Sequence, residues 1–261
     1  MYHGGMKQPK IMVFFLLVVI SASSFAENRG FIFKVDTPPL GFPDYVAAAE
    51  SARRHRLTVS WLRYSTDFSE MNGAAASMTS FLHRRSNGAV SLKYGGFFVT
   101  GTESDAIMTE VSPGVWVSDG DSDLTVWGPD IQLQLEGVLL ASGPDRVRRH
   151  SLLGFIAASG HYQRISQRFS FDPKQDSDTD VFACGLQSGL QGNIAIGYGF
   201  AISPFAQASV LAAFGADTDP GFMFTGSAGL DVRWRSFSLG ALVQPMMDAS
   251  PMTTISLGFV F

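Results

Sequence analysis

Met252-Thr-Thr-Ile-Ser-Leu-Gly-Phe-Val-Phe261 closes the chain: Ile255, Leu257, Phe259 and Phe261 share one parity, while Thr254, Ser256 and Gly258 share the other. A β-strand sends these two sets to opposite faces. In a soluble sandwich the apolar face meets a second sheet. In a membrane barrel it meets lipid, and the small polar face lines the lumen. A single strand is compatible with either.

The same alternation runs upstream. From Phe182 to Ile202 the even positions include Phe182, Leu186, Leu190, Ile194, Ile196, Phe200 and Ile202, opposite Gly185, Gln187, Gly189, Gln191, Asn193 and Gly197. A soluble strand averages five or six residues, so a run this long fits a strand that crosses a bilayer and continues beyond it. Phe222, Phe224, Leu230, Val232 and Trp234 oppose Thr225, Ser227, Asp231 and Arg233; Phe237, Leu239 and Val243 oppose Ser236, Ser238 and Gln244. Each segment reaches the roughly nine to eleven residues that a tilted membrane strand needs. The polar parity carries Gly, Ser, Gln and isolated charges, which suits a narrow hydrated interior. Aromatic residues near segment ends, such as Tyr198, Trp234, Phe237 and Phe259, fit an interfacial girdle.

Residues 1–26 read as a secretory signal: basic Lys7 and Lys10, an apolar run from Ile11 to Ile20, and the exit Ser24-Phe25-Ala26. The ten-residue run is about half of a spanning helix. Cleavage after Ala26 removes two of 19 basic residues and none of 23 acids, so the charge becomes 17 − 23 = −6. That balance excludes a nucleic-acid partner. With Cys184 as the single cysteine no internal disulfide forms, so hydrogen bonds and apolar burial must hold the fold.

Strands are expected near 253–261, 236–246, 222–233, 205–215, 181–202, 151–171, 130–142, 106–118, 88–101 and 56–66. The result is a closed antiparallel transmembrane β-barrel of about ten strands, with eight or twelve also open because 67–87 is either a long loop or hides a strand near Ala74–His83. Ser203-Pro204 and Arg233–Ser236 read as tight turns; the stretches around 172–180, 216–220 and 247–251 read as longer acidic loops. This asymmetry puts Phe261 and the tight turns in the periplasm. Residues 27–55 read as a periplasmic or luminal N-terminal segment, and 56–261 as the barrel.

A signal peptide, amphipathic strands and a C-terminal strand ending in Phe resemble small Gram-negative outer-membrane barrel proteins and solitary autotransporter-type barrels. The resemblance implies that Gly258, Phe259 and Phe261 form the signal read by the barrel assembly machinery. It further implies outer-membrane lipid and lipopolysaccharide as surroundings, a location in the cell outer membrane, a monomeric state and no cofactor.

Parity assigns Lys93, Gln132, Gln134, Glu136, Arg164, Arg168, Gln187, Gln191, Asp231, Arg233 and Gln244 to the lumen, where opposite charges must pair. A plugged polar core is the first expectation and a narrow pore the second. Ser159 and His161 share a parity and form the candidate pair for an outer-membrane lipid hydrolase, although the order resembling such enzymes is His before Ser. Asp119, Asp121, Asp123 and Asp130 fall at positions 1, 3, 5 and 12 of a calcium-loop pattern. Leu124 stands where Gly is needed, so a solvated acidic loop is the plainer reading.

Overall fold

The computed structural model describes residues 55–65, 69–85, 88–103, 108–112, 115–118, 121–142, 150–169, 176–197, 199–215, 218–244 and 251–261. The expected signal, the segment up to residue 54 and Asp119 lie outside these. The strands are β1 His55–Ser65, β2 Ser69–Arg85, β3 Gly88–Glu103, β4 Met108–Ser112, β5 Val115–Ser118 and β6 Ser122–Ser142, followed by β7 His150–Phe169, β8 Ser177–Gly197, β9 Phe200–Gly215, β10 Thr218–Trp234, β11 Phe237–Gln244 and β12 Met252–Val260. Ten of them close a barrel in the order β1-β12-β11-β10-β9-β8-β7-β6-β3-β2, with β1 also paired to β2. β4 and β5 pair with each other as a separate two-stranded sheet.

The expected total of ten barrel strands holds, but its membership changes. Ser69–Arg85 is a full wall strand, whereas the stretch 106–118 holds the short hairpin strands β4 and β5. The 181–202 run is not one strand: β8 ends at Gly197 and β9 starts at Phe200. Gly197 and Gly199 have φ of 116° and 78°, a region that costs glycine little and other residues much. Ser203 and Pro204, expected as a turn, lie within β9.

All pairings are antiparallel, and the closing seam joins Arg56 to Val260 through Arg63 to Thr253. His55 and Phe261 exchange backbone hydrogen bonds of 3.1 and 3.0 Å at one rim. The tight β10–β11 turn at Arg235 and Ser236 shares this rim, which the asymmetry of outer-membrane barrels assigns to the periplasm.

Alternation divides the wall. Outward side chains such as Leu133, Ile156, Leu186, Leu190, Leu239 and Leu257 are exposed, whereas their neighbours on the other parity are buried. Among the described residues the wall closes on itself as a barrel and no second sheet packs on it, so the sandwich is excluded and the apolar parity faces lipid. Trp127, Tyr162 and Phe182 contact in sequence at 6.0 and 5.0 Å towards the outer rim; Phe237, Phe259 and Phe261 do so at 5.1 and 6.0 Å towards the periplasmic rim. These are two interfacial girdles. β6, β7 and β8 run 21, 20 and 21 residues, about twice the crossing length, so their ends stand beyond the outer girdle.

Candidate functional site: the barrel lumen

The interior is layered. At the outer end Gln167 donates to Glu103 at 2.8 Å and to the Ser122 hydroxyl at 2.9 Å, which ties β7 to β3 and β6. Below this mouth lies an apolar layer. Leu62, Met71, Val99, Val126, Leu211 and Met252 are fully buried in it; Phe97, Leu124, Ile165, Val181 and Leu242 are among its other members. The layer follows from register: Val99 pairs with Val126, and Val126 with Ile165, all on the inward parity. The lumen was expected to be polar along its length, and this layer corrects that. Its signal was present in segments where both parities are apolar, such as Phe97-Phe98-Val99 and Ala241-Leu242-Val243.

A polar belt follows. Arg56, only 2 % exposed, donates to the Ser238 hydroxyl at 2.8 Å and pairs with Asp231 at 3.4 Å. This bridges β1 to β10 over β12 and β11. Gly258 makes room for it, because a Cβ at that position would stand 2.6 Å from Arg56 Nε. Lys93, Asp130, Arg56 and Asp231 surround a small cavity of about 30 Å³. That is space for one or two water molecules. Two cations facing two anions satisfy the requirement that buried charge be compensated. Sequence reading passed over Arg56, although Thr58 and Ser60 on its parity oppose Leu57, Val59 and Trp61.

Gln132, Gln134, Glu136, Gln187, Gln191 and Gln244 are buried on the inward parity. Gln134 donates to Glu136 at 3.3 Å, and Gln244 donates to Thr225. Nearer the periplasm Arg233 donates to the Asn193 side-chain oxygen at 3.2 Å. Leu153 and Phe155 form a second apolar cluster with Val138 and Phe205. Phe205 lies against Gly229, where a Cβ would fall 2.6 Å from the ring.

Arg164 and Arg168 require correction. On β7 the buried residues are odd-numbered, so these two lie on the outward parity, 38 % and 47 % exposed. They form a ladder beyond the outer girdle: Arg164 to Asp178 at 2.9 Å, Arg168 to Asp178 at 2.8 Å and Arg168 to Asp176 at 3.7 Å. Tyr162 donates to Asp180 at 2.7 Å. The Asp178 carboxyl is held down at about 2, first by a hydrogen bond from Ser166 and then by those from Arg164 and Arg168.

Ser159 and His161 are buried on the luminal side of β7, opposite Gln132 and Asp130 of β6. Neither the Ser159 hydroxyl nor either His161 ring nitrogen has a hydrogen-bond partner, so no nucleophile–base bond joins them. A lipid hydrolase requires a site that an acyl chain reaches, and this pair is walled off from lipid. The calcium pattern is also taken apart. Asp123 is outward and exposed, Asp130 is inward and buried, and both belong to one extended strand. Seven strand residues separate them by roughly 23 Å. Among the described residues no three His, Cys, Asp or Glu side chains group to hold a metal.

A closed antiparallel wall with a lipid-facing exterior, two girdles and a packed interior defines a transmembrane barrel of the outer-membrane class. No protein-family model matches the chain, and no curated protein matches its sequence. In fold it is similar to the transport unit of the autotransporter AIDA-I from Escherichia coli: TM-score 0.54, 9% identity, over 83% of this chain and 93% of that one. The translocator domain of the autotransporter NalP from Neisseria meningitidis matches at TM-score 0.43 and 10% identity, over 80% of this chain and 89% of that one. The likeness is one of fold.

Proposed function

We propose that this protein is a non-conducting outer-membrane barrel, a structural anchor that holds the outer ends of β6, β7 and β8 at the cell surface for interaction. The observation that carries this reading is the apolar layer across the lumen, contributed by β1, β2, β3, β6, β7, β8, β9, β11 and β12. A transport role of the kind named for the AIDA-I unit needs a passage, and this layer opposes one. Under this reading residues 1–26 are removed, residues 27–54 lie in the periplasm or lumen ahead of His55, the first residue of β1, and the barrel is a monomer beside lipopolysaccharide. Gly258, Phe259 and Phe261 are then read by the assembly machinery. Purified protein in planar bilayers tests the proposal. Silent membranes are expected, and stepwise unitary currents from the wild type overturn it.

A further inference from the structure

We propose that the lipid-facing surface over the β1–β12 seam, towards the periplasmic rim, binds one phospholipid, with its phosphate held by Arg235 and an acyl chain lying in an apolar groove. The groove, about 520 Å³, is lined by Leu57, Val59, Trp234, Phe237, Leu239 and Leu257 among others. Side chains of four neighbouring strands, β10, β11, β12 and β1, line this shallow depression, which is open to the lipid side. Its volume lies in the range of sites that take a single small ligand. The girdle of Phe237, Phe259 and Phe261 fixes its depth at the headgroup level of the periplasmic leaflet.

Arg235 supplies the charge. Its guanidinium carbon lies 5.4 Å from the centroid of the Trp234 ring, and that ring is itself a wall of the groove. The stem is held across the next turn: Arg235 N–H donates to the Gly199 carbonyl at 2.9 Å, and a Cβ at Gly199 would be 3.2 Å from Arg235 Cγ. Among the described residues no carboxylate pairs with it. Of the non-glycine residues described, only Arg235 has positive φ, 55°, a conformation in which glycine or asparagine is the ordinary choice. The two-residue β10–β11 turn calls for such a φ at its first position, so the hairpin geometry fixes where the Arg235 stem leaves the wall. A planar guanidinium with several donors matches phosphate oxygens, and this one lies beside the exposed, outward-facing Trp234 ring.

The test uses the folded full-length barrel in mild detergent, titrated with phosphatidylglycerol or with diacylglycerol of the same chains, and read by native mass spectrometry. One saturable phosphatidylglycerol is expected, with diacylglycerol at least about tenfold weaker. Arg235→Gly relieves the φ strain, so heat-modifiable migration should persist while phosphatidylglycerol affinity falls by about tenfold or more. Leu239→Trp fills the groove and should lower uptake with Arg235 intact. Unsaturable uptake, an Arg235→Gly barrel that binds like the wild type, equal binding of the two lipids, or a dimer occupying the face would each overturn the proposal.

Discussion

Asp178 carries the clearest titration on the outer surface. Its folded value of about 2 lies below the ordinary 3.8. A lowered carboxylate stabilises the fold above its unfolded value, and that contribution disappears as pH falls through the folded one. The β7–β8 ladder should therefore persist through pH 4 and come apart between about pH 4 and 2, whereas Asp178→Asn should remove that acid step. Side-chain carboxylate NMR of the barrel in micelles measures both. Inside the lumen, Asp231→Ala removes the carboxylate facing buried Arg56 and should cost ~3–5 kcal/mol in urea unfolding from vesicles. A loss below ~1 kcal/mol, typical of an exposed pair, would show that this bridge contributes little. Gly258→Ala should act in the same direction, because its methyl group displaces Arg56 Nε and the Ser238 hydroxyl. Gly258, proposed above as part of the assembly signal, thus also has a packing role.

Whether a strand is legible depends on what its turn does to parity. The β10–β11 turn pairs Trp234 with Phe237, so the outward residues change from even to odd, and the break is visible in sequence. The β8–β9 turn pairs Ile194 with Ile202 and keeps even residues outward on both strands, so the alternation runs through it unmarked. Only Gly197 and Gly199 signal the reversal. β2 was obscured for another reason: Gly73-Ala-Ala-Ala-Ser77 offers no apolar contrast between faces, although Ala75 is buried and Ala74 and Ala76 are exposed. Within 106–118 the dipeptide Pro113-Gly114, a strong turn signal, separates two strands of five and four residues, too short to span. The face assignment itself is testable on β8. Leu190, 50 % exposed, is outward, and Gln191, 2 % exposed, is inward. Leu190→Arg should destabilise the barrel by ~2–4 kcal/mol if it lies near the midplane, and Gln191→Arg by clearly less. Equal costs in vesicle unfolding would mean that the two faces had been confused.

At the scale of the whole molecule, the layering of the lumen decides between anchor and pore. Polar side chains at the outer mouth and around the Arg56–Asp231 belt would by themselves admit water, and hydration at both levels is compatible with a leak. What separates the two levels is the layer of Leu62, Met71, Val99, Val126 and Leu211, each fully buried and offering no hydrogen bond to an ion that must shed its hydration shell. Closure is therefore local and can be undone without dismantling the wall. Leu211→Ser with Val126→Ser places hydroxyls in this layer from β9 and β6 while leaving the lipid face untouched. Each truncation also removes buried apolar contacts, so a loss of about 2–4 kcal/mol per site is expected. The variant should still show heat-modifiable migration, and in planar bilayers it should pass small unitary currents where the wild type is silent. If the variant folds and remains as silent as the wild type, the seal lies elsewhere in the lumen, and the second cluster around Leu153, Phe155 and Phe205 becomes the place to open next.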